Sequence, residues 1–160
     1  VRPPVHSGIH LNHPGATMAI NLNPYINWRG QAREAMEFYQ SVLGGELTVM
    51  TFADMGGTAM GVAESEVDWV MHSALSVSPS VLLMGADHPS HVPGEPQTQQ
   101  VSISGPAEDG DTLRAWWEGL TDGATVMQPL EPAPWGDSFG MLKDKYGVDW
   151  LVNIAGAPQG

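Results

Sequence analysis

The 160-residue chain is 42% hydrophobic and 15% charged, has a formal net charge of −12 with only six Lys and Arg, and contains no cysteine. A domain of this length hides about 70% of its unfolded surface, so one continuous core is within reach. The shortage of basic side chains argues against nucleic acid and anionic membrane surfaces as partners, because both are gripped through Lys and Arg. The missing cysteines exclude disulfides, thiolate catalysis and Cys-based zinc sites, and they fit a reducing compartment such as the cytoplasm.

Residues 1–18 read as a disordered leader or tag. They contain neither the apolar stretch of a signal peptide nor a run long enough to cross a bilayer. His6, His10 and His13 stand at ligand-like intervals, but the Pro and Gly around them prevent a helix that would aim the rings at one ion.

Residues 20–28 (INLNPYINW) alternate apolar and polar, the period of a half-buried strand, with Pro24 as an interruption that has no N–H for a ladder. Ala32, Ala35, Met36, Phe38, Tyr39, Val42 and Leu43 then fall on helical spacings and predict a helix over 31–43, ended by Gly44-Gly45. Strands are expected at 46–52, 69–77 and 81–84, with a loop over 53–66, and the Pro- and Gly-rich residues 85–98 (GADHPSHVPGEPQT) look like a linker. The pattern then recurs. A strand at 100–103 precedes a helix carried by Leu113, Trp116, Trp117 and Leu120, with Asp111 as its N-cap and Gly123 as its stop, followed by strands at 125–130, 140–142 and 149–154. A shift of roughly 79 residues lays Phe38 on Trp117, Gly44 on Gly123 and Leu47 on Val126, an internal repeat. The expected fold class is α+β: two βαβββ modules in one domain over 19–157, module one at 19–88, a linker at 89–98 and module two at 99–157.

The segments NPYINWRGQAREAMEFYQSVLGGELTVMTFADM, MHSAL, LLMGAD and PWGDSFGMLKDKYGVDWLVN resemble the PhnB-like branch of the glyoxalase, bleomycin-resistance and dioxygenase superfamily, over about residues 20–156. The resemblance implies the vicinal-oxygen-chelate fold, a cup-shaped mixed sheet made by two modules, a homodimer, and a ligand held in the cup. Some relatives carry a demethylubiquinone methyltransferase label, yet this chain has no glycine-rich strand-to-helix loop with a following acidic residue to hold an adenosyl cofactor. In the metal enzymes of the superfamily the ligands come from the first and last strand of each module. Aligned by its helices and strand ends, this chain places Pro24, Met84, Gln100 and Leu151 there, a set with almost no oxygen or nitrogen donor for a divalent ion. No cofactor and no resident metal are therefore expected.

Tyr25, Trp28, Phe52, Trp135, Phe139 and Trp150 are candidates for an aromatic pocket wall, whereas Trp116 and Trp117 sit on a helical stripe and belong to the core. His72 is the one histidine inside an expected strand and suits a general base or a ligand hydrogen bond, with Gln100, Asp137 and Asn153 as polar neighbours in the same cavity. His88 and His91 read as solvated loop residues, and Glu64, Glu66 and Asp68 as a solvated acidic rim. In PWGDSFG and the following turn, Gly136, Gly140 and Gly147 act as hinges. No GxSxG elbow, phosphate loop or HExxH is present, which removes nucleophilic hydrolysis and ATP chemistry. The expected function is binding of a small, partly apolar molecule. The alternatives are a metal-dependent lyase, isomerase or dioxygenase of the same superfamily, and a stress or regulatory protein with a vestigial cavity.

Overall fold

A computed structural model describes residues 20–97 and 99–157. His6, His10 and His13 lie outside the described residues. In chain order the elements are β1 (Tyr25–Trp28), α1 (Ala32–Leu43), β2 (Glu46–Thr51), β3 (Val70–Ser78), β4 (Val81–Asp87), β5 (Gln100–Gly105), α2 (Gly110–Leu120), β6 (Thr125–Pro132), β7 (Ser138–Lys143) and β8 (Asp149–Ile154). They form two four-stranded mixed sheets of the same order, β1-β4-β3-β2 and β5-β8-β7-β6, each with one outer pair, β1–β4 or β5–β8, parallel and the rest antiparallel. The expected α+β architecture of two βαβββ units is thus present.

Each helix covers one face of its own sheet because its apolar stripe has the helical period and the strands have a period of two. Ala32, Ala35, Met36, Tyr39 and Leu43 of α1 are buried, as are Leu113, Trp117 and Leu120 of α2. Trp117 belongs to the core and Trp116 packs against it, as the stripe predicts. Beneath each helix a glycine makes room for an aromatic ring: a Cβ at Gly85 would lie 2.8 Å from Trp28, and one at Gly140 would lie 2.8 Å from Trp117. The helices also meet, since a Cβ at Gly119 of α2 would stand 2.8 Å from Val42 of α1.

The modules are joined through a buried carboxylate. Asp144, in the β7–β8 turn, accepts from the Tyr39 hydroxyl (2.5 Å), from Nε1 of Trp150 (2.8 Å) and from the N–H groups of Tyr146 and Val148 (2.8 and 3.0 Å). Nε1 of Trp28 donates to the Tyr146 carbonyl at 3.1 Å, and Tyr39 stands edge-on to Trp150. Burial and the Asp144 charge push the Tyr39 hydroxyl far above its ordinary pKa, so it stays a donor.

Several sequence expectations shift. The strand expected at 20–28 pairs only from Tyr25, since Pro24 can accept from Met84 but cannot donate. The loop 53–66 contains three short 3-10 turns. Helix α2 begins at Gly110 after Asp109, so Asp111 is not its cap but lies in its first turn. Strand β4 runs through Gly85 to Asp87, because a glycine is what the ring of Trp28 requires there.

Candidate functional site

Ile26 and Trp28 turn toward the helices, so alternation sends Tyr25 and Asn27 to the opposite, concave face, where Met84 and Ala86 join them in register. His72 of β3 lies on the same face. Its Nδ1 is 3.2 Å from the Tyr25 hydroxyl, and the two rings stack with centroids 5.8 Å apart. Burial raises the pKa of Tyr25, which keeps this phenol protonated.

Beside this pair lies a cavity of about 330 Å³, close to the lower end of the ~300–1,000 Å³ range of small-molecule pockets. Its apolar wall comes from Phe52, Met60, Val62 and Met71, and its polar groups from Tyr25, Asn27, His88 and His91. Two segments border it. Residues 52–69 start on the bonds Phe52 N–H to Trp69 carbonyl (3.1 Å) and Ala53 N–H to Val67 carbonyl (2.7 Å). Residues 88–92 are tied to them by Glu66, whose carboxylate accepts from the Ser90 N–H (2.9 Å) and hydroxyl (3.1 Å). Asp87 also borders the cavity, but its oxygens are occupied by the N–H groups of Gly30 (2.7 Å), Ala32 (3.0 Å) and Val70 (2.9 Å). It starts α1 and ties it to two strands, so its role is structural.

Some sequence expectations need correction here. Glu66 is not part of a solvated acidic rim: it is buried, and the Ser90 N–H holds its carboxyl below the usual range. His88 and His91 are loop residues, as expected, with His91 exposed, and both also border the cavity; His88 is fixed by a 3.0 Å bond between Nε2 and the Val92 carbonyl, and His91 lies over Gly61.

The candidate aromatic and polar residues divide into three groups. Tyr25, Phe52 and His72 gather at the module-one cavity, with His72 behind Tyr25. Trp28 and Trp150 are core residues, 3% and 1% exposed, because their strand positions face the helices and their indole N–H groups have partners inside the fold; Trp150 also borders a second cavity, between the two sheets. Trp135, Asp137, Phe139 and Asn153 cluster in module two. There Trp135 is 63% exposed and edge-on to Phe139, and Asp137 accepts from Asn153 Nδ2 (3.1 Å) and the Gly156 N–H (3.0 Å). Those two bonds, the Gly156 N–H first, hold the Asp137 carboxyl below its usual pKa. Gln100 is exposed at the start of β5, in register with Asp149. The hinge reading suits Gly136 and Gly147, with φ of 100° and 83°. It does not suit Gly140, whose small size serves Trp117 instead.

Asn27, Met60, Val62 and Met71 escaped the sequence reading. The hint was the density of small residues and methionines in 55–62 (MGGTAMGV), which suits a loop folded over a pocket.

The family model described as the glyoxalase/bleomycin resistance protein/dioxygenase superfamily matches residues 21–152. The chain belongs to this superfamily. Protein YjdN of Escherichia coli (strain K12) is 26% identical over 141 residues, covering 83% of this chain and 94% of that protein. The crystal structure of protein PA1353 from Pseudomonas aeruginosa is 30% identical with a TM-score of 0.73, covering 87% of this chain and all (100%) of that one. A PhnB protein from Bacillus cereus is similar in fold, at 22% identity and a TM-score of 0.59, covering 85% of this chain and 100% of that one.

The metal positions of the superfamily can now be compared with the donors present. The register corrects two of them: Tyr25, not Pro24, is opposite Met84 on the concave face, and Ser102, not Gln100, is opposite Leu151. A phenol, a thioether, a hydroxyl and an alkyl side chain do not fit a divalent cation, which takes carboxylate oxygen or imidazole nitrogen. Among the described residues no three His, Asp or Glu side chains come together as a ligand group.

Proposed function

We propose that this chain is a small-molecule-binding member of the PhnB-like branch of its superfamily, holding a small, partly apolar ligand in the module-one cavity without a metal ion. The observation that carries the reading is the cavity itself. Methionine and aromatic walls there surround a phenol, an amide and two imidazoles, a combination that buries an apolar body and orients a few polar atoms. The donor set at the superfamily's metal positions supports the metal-free part of the proposal. The proposal includes a homodimer in the cytoplasm, in keeping with the absence of cysteine and with the family resemblance.

A thermal-shift screen of the full chain against neutral aromatic and aliphatic libraries tests it. A ligand present at 100 times its Kd should stabilise the native state by about 2.7 kcal/mol. Phe52→Ala should abolish the shift. Uniformly null results, or shifts untouched by Phe52→Ala, would count against it, and stoichiometric metal in the purified protein would remove the metal-free part.

A second reading, an enzyme, is favoured by one contact: the 3.2 Å approach of Tyr25 to His72, which can relay a proton to a ligand atom beside the phenol. Turnover of a bound ligand that is lost in both Tyr25→Phe and His72→Gln, with binding kept, would select this reading over the first.

A further inference from the structure

We propose that the seam between the two sheets is a strand-accepting groove for an extended, uncharged peptide segment with apolar side chains at alternate positions. A cavity of about 300 Å³ opens there, between residues 22–24 and 80–83 of module one and residues 101–104 of module two. Leu43, Leu83, Val101 and Trp150 form its apolar wall, and among the described residues no charged side chain lines it, in a chain whose net charge is −12.

Main-chain groups make the groove more than an apolar hole. Strands β1 and β5 are the facing edges of their sheets, and among the described residues one main-chain bond joins β1 to the segment before β5, Asn27 N–H to the Gln97 carbonyl at 2.9 Å. On β5 the Gly105 carbonyl accepts from Ala155, on the β8 side. Alternation then turns the N–H and C=O groups of Ser102 and Ser104 away from β8 into the seam. On β4 the Met84 N–H meets the Pro24 carbonyl, so the same rule turns the Leu82 main chain toward the seam, where β1 no longer pairs. Two strand segments whose seam-side main-chain groups have no main-chain partner among the described residues thus face one cavity, the arrangement that accepts an added strand.

Module two shows what module one lacks. Its outer pair runs from Gln100↔Asp149 to Gly105↔Ile154, whereas β1 pairs β4 only from Tyr25↔Met84 to Trp28↔Asp87. Pro24 ends the ladder, and the preceding residues 20–23 (INLN) leave the sheet with Ile20 and Leu22 fully exposed. The open edge of β4 follows from that departure.

The test uses the full chain labelled with ¹⁵N and the capped peptide acetyl-Val-Ser-Leu-Ser-Val-amide. Saturable shifts of the Leu82, Ser102 and Ser104 amides are expected, with affinity falling at least tenfold when alternate peptide amides are N-methylated or when its apolar residues become Asp. Ser102→Pro, which deletes one seam donor at an edge that tolerates proline, should weaken binding similarly. Absence of saturable shifts overturns the proposal. So does equal binding of the N-methylated peptide, which would mean apolar filling without strand pairing. If the same amides shift on raising protein concentration alone, with the sedimenting mass doubling, the occupant is a second copy and the peptide reading fails. A thermal-shift response confined to Phe52 leaves this groove untouched, so the two sites are judged separately.

Discussion

The two modules share strand order, helix placement and the glycine under the packing aromatic, yet they differ where β2 joins β3 and where β6 joins β7. Module one spends residues 52–69 on that connection, folds them over the concave face and locks them to residues 88–92 through Glu66, and so has a cavity. Module two makes the same connection in residues 133–137, leaving Trp135 exposed and β6 largely solvated. The duplicated frame supplies stability, and one long connection supplies the cavity. That division agrees with the general rule that rigid elements position binding groups and loops carry them.

The largest effects are expected where module two anchors module one. Trp150→Ala should cost about 3–5 kcal/mol, whereas Trp135→Ala should change stability by no more than ~0.5 kcal/mol; urea denaturation of both variants checks the contrast. Asp144→Ala strands buried donors from Tyr39 and Trp150 and should cost about 3 kcal/mol. Chemical denaturation of this variant should show the two modules separating if Asp144 is what couples them. Next come the paired glycines: Gly85→Ala and Gly140→Ala should each cost about 1–3 kcal/mol, since each Cβ would press on a buried indole at 2.8 Å. A marked inequality between them would show that the modules are not packed alike.

Smaller effects separate the cavity from the frame. Tyr25→Phe should lower stability by less than ~1 kcal/mol while weakening a bound ligand about tenfold, or ~1.4 kcal/mol, as read by calorimetry. The smallest is an acid effect in module two. The Asp137 carboxyl is depressed by the Gly156 N–H and by Asn153, so its contribution is present above the ordinary value of ~3.9 and is lost as pH falls through its lower folded value. Melting curves between pH 5 and 3 should therefore converge for the wild type and Asp137→Asn at the acid end.

Much of the frame was legible in the chain. The helical stripes of Ala35, Met36 and Tyr39 and of Leu113, Trp117 and Leu120, and the period-two strands, carry their own geometry, so the βαβββ repeat could be read locally. The site was less legible. Trp28 looks like a wall residue, but one step of strand alternation decides which face a side chain takes, and only the pairing register reveals it. The start of α1 was hidden for a related reason. Gln31 offers no side-chain cap; Asp87, far along the chain, supplies it.

The fold class and the duplication were readable in one dimension, because periodicity is a local property of the chain. Only the folded chain shows which aromatics are core and which border a cavity, that Glu66 is a tether, and that residues 80–83 and 101–104 border one cavity between the sheets. Those outcomes depend on contacts between residues distant in sequence, whose free energy exists only once the chain has folded.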